Sequence, residues 1–300
     1  MAANELTPQE RRIIEEKGTE RPFTGEYHDH FADGVYLCRR CNSPLYDSQG
    51  KFAAHCGWPS FDAEILGVVT RKPDPDGIRT EILCTTCGAH LGHVFCGENL
   101  TEKNTRHCVN SLSLRFIPRK LQAGQKGLAV LGGGCFWCLE AAYLELKGIA
   151  EVVSGYCGGS KANPTYEEVC TGTTGHAEVV KLVYEPKIIT YRQILSVFFS
   201  VHDPTTPNRQ GSDLGEQYRS IIFYTTWEQK EESELVISEL TKEKVFARPI
   251  ITEVLPLIKF YPAEEYHQAY FQKHPEQAYC QWTIAPKLKK IKEKYQRLLR

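Results

Sequence analysis

Two pairs of cysteines, Cys38-x-x-Cys41 and Cys84-x-x-Cys87, are spaced so that each pair can place two thiolates on one metal ion. Together they supply the four soft ligands of a tetrahedral structural zinc site, which would tie two distant segments to one point. A site closed by four cysteines has no open position, so such a metal holds the fold and does no chemistry. Two independent redox pairs and plain structural cysteines are the competing readings. Neither pair sits at an evident helix N-terminus, where a redox thiol has its pKa lowered.

These four belong to a larger sulfur inventory: 12 cysteines in 300 residues, against a single Met. A small secreted domain would use that many for disulfides, but a cytosolic chain of this length needs no staples, so metal binding or thiol chemistry is the leading explanation. Positive and negative side chains balance, 36 against 37, and leave no field for holding nucleic acid or acidic lipid. No run of 18 or more apolar residues occurs, and the first residues lack the basic and apolar regions of a signal peptide; a soluble, cytoplasmic protein with no membrane partner is expected.

At roughly 150 residues per domain the length suggests two domains. A polar stretch with Pro118, Gly124 and Gly127 follows the strand-like Ser113-Leu114-Arg115-Phe116. This places a first domain at 1–119, a linker at 120–127 and a second domain at 128–300. The first opens with a helix signature, Thr7 as N-cap, Pro8 at the first helical position and Glu10 closing a capping box. Short strands separated by turn formers follow (34–37, 67–70, 79–83, 93–95, 113–116), which reads as a mainly antiparallel β domain. In the second, strands at 128–131, 177–184, 220–224 and 251–257 alternate with helices at 135–146, 191–201, 227–244 and 263–273 and one from Pro286, an α/β or α+β pattern.

With the quartet set aside, Cys56, Cys96 and Cys108 remain in the first domain, in Cys56-Gly57-Trp58-Pro59-Ser60-Phe61, Val94-Phe95-Cys96 and Arg106-His107-Cys108-Val109-Asn110-Ser111. A thiol becomes a nucleophile when a cation or hydrogen-bond donors favour its thiolate, and Arg106, His90, His93 and Asn110 are available for that. The three motifs with His90-Leu91-Gly92-His93-Val94-Phe95 resemble the B-type methionine sulfoxide reductases over about residues 5 to 118. The resemblance implies a zinc-bearing β fold with Cys38, Cys41, Cys84 and Cys87 as ligands. It makes Cys108 the nucleophile, Cys56 the resolving thiol, and His90 and His93 the groups that bind and protonate the sulfoxide oxygen. Trp58 holds the substrate methyl, and Asn110 orients the site. The family usually has an acidic residue where this chain has Cys96, which reads as a buried free thiol or a substitute resolving thiol.

In the second domain Gly132-Gly133-Gly134-Cys135-Phe136-Trp137-Cys138 lies where an apolar strand gives way to a helix. A thiol in the first turn feels unpaired N–H groups and the positive end of the helix dipole, which predicts an activated Cys135. Cys138 sits at thioredoxin-like spacing, so this segment alone also fits a dithiol oxidoreductase. Gly155-Tyr156-Cys157-Gly158-Gly159, Pro164-Thr165-Tyr166, Gly175-His176-Ala177-Glu178, His202-Asp203-Pro204-Thr205, Gly211-Ser212-Asp213 to Tyr218-Arg219-Ser220 and Tyr261 to Gln268 resemble the A-type methionine sulfoxide reductases over residues 128 to about 290. That resemblance implies a ferredoxin-like α/β plait. It assigns Cys135 as nucleophile, Phe136 and Trp137 as the methyl pocket, and Glu178 as the acid. Tyr166 and Tyr218 become hydrogen-bond donors, and Asp213 a further polar residue. Cys280, from the C-terminal region, becomes the resolving thiol, with Cys138 as competitor.

Taken together the resemblances imply a two-domain reductase of free or protein-bound methionine sulfoxide, S epimers in the second half and R epimers in the first, regenerated by thioredoxin. A thiol-disulfide oxidoreductase or peroxidase carrying a zinc ribbon is the alternative. It accounts for the cysteines but not for Glu178, the tyrosines or the histidine pair.

Overall fold

The computed structural model describes residues 4–300. The chain divides into two units, Met1–Lys120 and Leu121–Arg300. Among the described residues no helix is long and apolar enough to cross a membrane.

In the first unit α1 (Pro8–Ile14) starts on the expected capping box: Thr7 Oγ1 accepts from the Glu10 N–H, and the Glu10 carboxylate accepts from the Thr7 N–H at 2.8 Å. The strands that follow are β1 (Gly34–Cys38), β2 (Pro44–Asp47), β3 (Lys51–Phe52), β4 (Ser60–Phe61), β5 (Val69–Pro73), β6 (Thr80–Cys84), β7 (His90–Cys96), β8 (Thr105–Val109) and β9 (Leu114–Pro118). They form two antiparallel sheets, ordered β2-β1-β9 and β3-β4-β8-β7-β6-β5. Tyr36, Leu45, Phe61, Ile82 and Leu91 are buried in the core, with Tyr46 stacked on Phe61 at 4.4 Å.

One irregularity places the chemistry of this unit. The β6–β7 register runs Ile82↔Gly92 and then Leu83↔His90, so Leu91 is an extra residue, a β-bulge. Residues three apart on a regular strand face opposite ways; the bulge brings His90 and His93 onto one face, their rings 5.7 Å apart. Gly92 is required here: its φ is +151°, and a Cβ would lie 2.1 Å from the Cys108 carbonyl oxygen.

The second unit contains β10 (Gly127–Gly132), α2 (Phe136–Leu144), β11 (Ile149–Cys157), α3 (Tyr166–Cys170), β12 (Ala177–Tyr184), α4 (Tyr191–Val201), β13 (Arg209–Gln210), β14 (Asp213–Leu214), β15 (Ile221–Tyr224), α5 (Trp227–Lys242), β16 (Glu253–Pro256), β17 (Phe260–Pro262), α6 (Tyr270–Lys273) and α7 (Ala285–Lys294). Its sheet is ordered β16-β15-β10-β12-β11-β17, antiparallel except for the parallel β15–β16 edge. The apolar sides of α2, α4 and α7 bury Leu139, Tyr143, Phe198, Leu288 and Ile291 against it.

The sequence pattern predicts one helix over 263–273, and the structure breaks it. A 3₁₀ turn at Glu265–His267 and α6 are separated by Ala269 in the left-handed region, φ 53°. Buried side chains claim the backbone groups a continuous helix would use. Gln268 Nε2 donates to the Ala263 carbonyl at 2.9 Å, and the Glu140 carboxylate accepts from the N–H groups of Ala269 and Tyr270 at 2.8 and 3.2 Å. The longest strand, β11, also lies where the sequence reading assigns no element.

Candidate active sites

The two CxxC segments form matching knuckles. In each, the first cysteine ends a strand and its carbonyl accepts the N–H four residues on, from Asn42 at 2.9 Å and from Gly88 at 2.8 Å; both of these residues have φ above 60°. The four sulfurs lie within 4.8 Å of one another, Cys38 to Cys87 at 3.7 Å and Cys41 to Cys84 at 3.6 Å. A tetrahedral ion with bonds of about 2.3 Å to sulfur has sulfur–sulfur edges of about 3.8 Å, so this cluster can hold a metal ion.

The first thiol site is a row across the sheet. Ser60 pairs with Cys108, Cys108 with His93, and His93 with Glu81, across β4, β8, β7 and β6, so all four side chains share one face. Cys56, from the preceding loop, brings its Sγ to 4.0 Å from that of Cys108. Arg106 stands beside them, Nη1 donating to Cys56 Sγ at 3.5 Å while Nε and Nη2 donate to both Glu98 oxygens at 2.8 and 2.9 Å. Hydrogen bonding with Cys108, helped by Ser60 and the Arg106 charge, holds the Cys56 thiol down to about 5, while the same contact and burial push Cys108 up. The two thiols titrate as a pair sharing one proton next to a fixed cation.

The polar wall is built from carboxylates the sequence reading did not single out. His93 Nε2 meets Asp74 Oδ2 at 2.6 Å and His90 Nδ1 meets Glu81 Oε1 at 2.7 Å. Trp58 is pinned by its indole N–H, which donates to the Glu20 carbonyl at 3.1 Å. Asn110 is buried with its amide spent on backbone: Oδ1 accepts from the Glu20 N–H at 3.1 Å and Nδ2 donates to the carbonyl of the bulge residue Leu91 at 3.2 Å. It orients the bulge and, through it, both histidines.

The second thiol site surrounds the start of α2. Gly134, with φ +90°, turns the chain out of β10 so that Cys135 becomes the N-cap. Glu178 on β12 is buried under this turn and its Oε2 accepts from the Phe136 N–H at 3.1 Å. Burial, reinforced by the charges of Asp213 and Cys138, pushes the Glu178 carboxyl up to about 8, so it carries a proton at neutral pH. Burial likewise pushes Tyr166 and Tyr218 up, and both lie within electrostatic reach of Glu178 and Cys135. Asp213 accepts from the Tyr279 hydroxyl at 2.7 Å. Phe136 and Trp137 form an aromatic wall with His267, whose ring lies 5.0 and 5.6 Å from theirs, and Tyr270 stacks on Trp137 at 3.7 Å.

The helix N-terminus alone predicts a lowered Cys135 pKa; the structure reverses the direction. Burial, then contact with Cys138 and the charge of Glu178, push the Cys135 thiol up, and its side chain makes no cap hydrogen bond. Hydrogen bonding with Cys135 and the charge of Lys287 pull Cys138 down to about 7. Cys280 is fully buried in a π-helical turn, Cys280–Ile284, with Cys138 the thiol whose charge reaches it.

Both sites thus pair a thiol with a second thiol and with buried or carboxylate-backed proton donors. A peptide methionine sulfoxide reductase family profile matches residues 127–299, more than half of the chain. The chain belongs to the peptide methionine sulfoxide reductase family. Residues 6–118 match the SelR domain, the B-type reductase. The MsrA enzyme of Polynucleobacter asymbioticus is 50% identical over 171 residues, 57% of this chain and 90% of that protein. The MsrA enzyme of Chromobacterium violaceum is 53% identical over 171 residues, 57% of this chain and 97% of that protein. The crystal structure of reduced Mxr1 from Saccharomyces cerevisiae superposes with a TM-score of 0.50 at 36% identity, covering 54% of this chain and 92% of that one. This reductase therefore joins an R-epimer domain to an S-epimer domain in one chain, one enzyme type per sulfoxide epimer.

Within the reductase, the residues singled out from sequence fall into two groups. Cys56, Trp58, His90, His93, Cys108 and Asn110 gather in the first unit, and Cys135, Phe136, Trp137, Tyr166, Glu178, Asp213 and Tyr218 in the second. Cys96 is neither buried nor near Cys108. It lies three regular residues beyond His93 and so on the opposite face of β7. Sequence reasoning missed Glu81, Asp74, Glu20 and Tyr279, whose partners are all distant in the chain. Glu81 alone carries a local signal, a carboxylate in a mainly apolar strand.

Proposed function

We propose that the reductase repairs both epimers of methionine sulfoxide, free or in proteins, with a B-type domain at 1–119, a linker at 120–127 and an A-type domain at 128–300. The observation that carries this reading is the pairing, in each unit, of a thiol with a second thiol that influences it and with a buried carboxyl or carboxylate-backed histidine beside it. A thiolate, Cys108 or Cys135, attacks the sulfoxide sulfur. His90 and His93, or Glu178 assisted by Tyr166 and Tyr218, give one proton to the departing oxygen. As the bond between the methionine sulfur and oxygen breaks, the protonated oxygen passes as hydroxyl to the cysteine sulfur, so the products are methionine and a cysteine sulfenic acid. Trp58, or Phe136 with Trp137, takes the substrate methyl, and Asp213 offers a further acceptor.

The sulfenic acid then condenses with a resolving thiol, forming a disulfide and releasing water. In the first unit that thiol is Cys56. In the second it is Cys280, which is fully buried; the hydrogen-bonding influence of Cys138 on the Cys135 thiol favours Cys138 as a second reading. A cytoplasmic dithiol reductant of the thioredoxin class, the one the family resemblance implies, exchanges with each disulfide and restores two thiols. Zinc is the metal that four thiolates at these separations suit, and Cys38, Cys41, Cys84 and Cys87 would hold it as a structural ion.

Chirally resolved dabsyl-methionine sulfoxide reduced with dithiothreitol tests the reading. Cys135→Ser is expected to lose S-epimer reduction and keep R, and Cys108→Ser to do the reverse. Loss of both activities in either single variant would sink the model of two independent sites.

A further inference from the structure

Glu81 on β6 is buried in a mainly apolar strand, and its two oxygens are fully committed. Oε1 meets His90 Nδ1 at 2.7 Å and Oε2 accepts from Lys17 Nζ at 2.8 Å. An ionised carboxylate only accepts, so Nδ1 of His90 bears a proton and the lone pair of the neutral ring is at Nε2. That Nε2 is buried and is without a protein partner, although the bulge has put His90 on the face shared by His93 and Cys108. A buried imidazole nitrogen left open beside a thiol pair is unfavourable unless a ligand fills it.

We propose that Glu81 is the positioning residue of the R-epimer site, holding His90 with Nε2 open toward the sulfoxide oxygen and supplying the counter-charge when His90 is protonated, with Lys17 tuning that charge. The inference rests on the reading of His90 as a donor to the sulfoxide oxygen. The proton on Nε2 passes to the departing oxygen, leaving the neutral ring still bonded to Glu81 through Nδ1. The carboxylate thereby keeps the tautomer and the orientation through the cycle. The charged and titratable groups that face His90 are Glu81 from β6, Lys17 from the segment after α1 and His93 from β7, with the Cys108 thiol of β8 beyond His93. Burial holds the ring's pKa down, Glu81 opposes that, and Lys17 adds to it.

The sign of each contribution makes the test specific. In full-length protein, Glu81→Gln removes the counter-charge and is expected to lower the His90 midpoint, followed by ring-nitrogen NMR. It should also lower kcat for the R epimer by about 10²-fold, the lower end of what a positioned general acid contributes, with KM little changed. Lys17→Met, at a half-exposed side chain, is expected to move the same midpoint upward. A loss of R-epimer kcat at little-changed KM, alongside these shifts, is what a merely structural carboxylate would not produce. A midpoint unmoved by Lys17→Met, or R-epimer kcat in Glu81→Gln within twofold of the parent, overturns the proposal. If Glu81→Gln does not fold, judged by thermal unfolding, Lys17→Met decides alone. His90→Asn separates the underlying reading: full R-epimer activity there removes His90 as a donor, whereas a large loss there with a parent-like Glu81→Gln overturns only the role of Glu81.

Discussion

The Sγ atoms of Cys56 and Cys108 lie 4.0 Å apart beside the guanidinium of Arg106. A disulfide requires about 2.05 Å, a gap that side-chain rotation can close without moving the sheet. Cys56→Ser is therefore expected to release one methionine per chain from the R epimer and then stall as Cys108 sulfenic acid. Single-turnover quantification with a sulfenic-acid trap checks it. Sustained thioredoxin-dependent turnover in that variant would show that another thiol resolves Cys108.

Glu178 must be protonated to act as an acid, and burial holds its pKa up to about 8. The acid form prevails below that value, so S-epimer kcat is expected to fall as pH rises through about 8 while R-epimer kcat does not follow the same limb. Glu178→Gln should slow the S epimer by roughly 10²- to 10⁴-fold, the usual contribution of a general acid, and remove the limb. A pH profile for both epimers on one preparation measures this.

Tyr279 donates to Asp213 at 2.7 Å and precedes the buried Cys280. Cys280→Ser is expected to stop S-epimer turnover with thioredoxin after the first cycle, and Cys138→Ser to preserve it. Peptide mapping after one equivalent of S sulfoxide reads the bond directly. A Cys135–Cys138 disulfide in the parent protein would move the resolving role to Cys138.

Structural zinc in four-cysteine sites contributes on the order of 10 kcal/mol to folding. Cys41→Ser or strong chelation should therefore unfold the first unit and abolish R-epimer reduction, with S-epimer reduction retained. Colorimetric zinc release, expected at one per chain, and thermal unfolding check the two halves of this prediction. Undiminished R-epimer activity in a zinc-free preparation would remove the metal from the fold.

The thiol positions, the CxxC pairs and most strands were legible along the chain because they depend on local spacing, turn chemistry and alternation. The Thr7–Glu10 capping box and α4, at Tyr191–Val201, form where the pattern puts them. Less legible was anything governed by what lies across a sheet. Leu91 carries no local mark of a bulge, yet that one residue decides that His90 and His93 share a face. Cys96 looked like a resolving candidate until strand parity turned it away from Cys108.

The two-unit division, the inventory of thiols and the donor set for a metal follow from the order and identity of residues alone, since short motifs carry their chemistry with them. The protonation state of that chemistry belongs to the tertiary structure. Cys135 at a helix N-terminus reads as a thiolate, but burial against Glu178 raises it, and the same burial keeps Glu178 protonated. A pKa is set by the dielectric and the charges surrounding a group, and those neighbours come from β12, the Asp213 hairpin and the C-terminal segment, which only folding assembles.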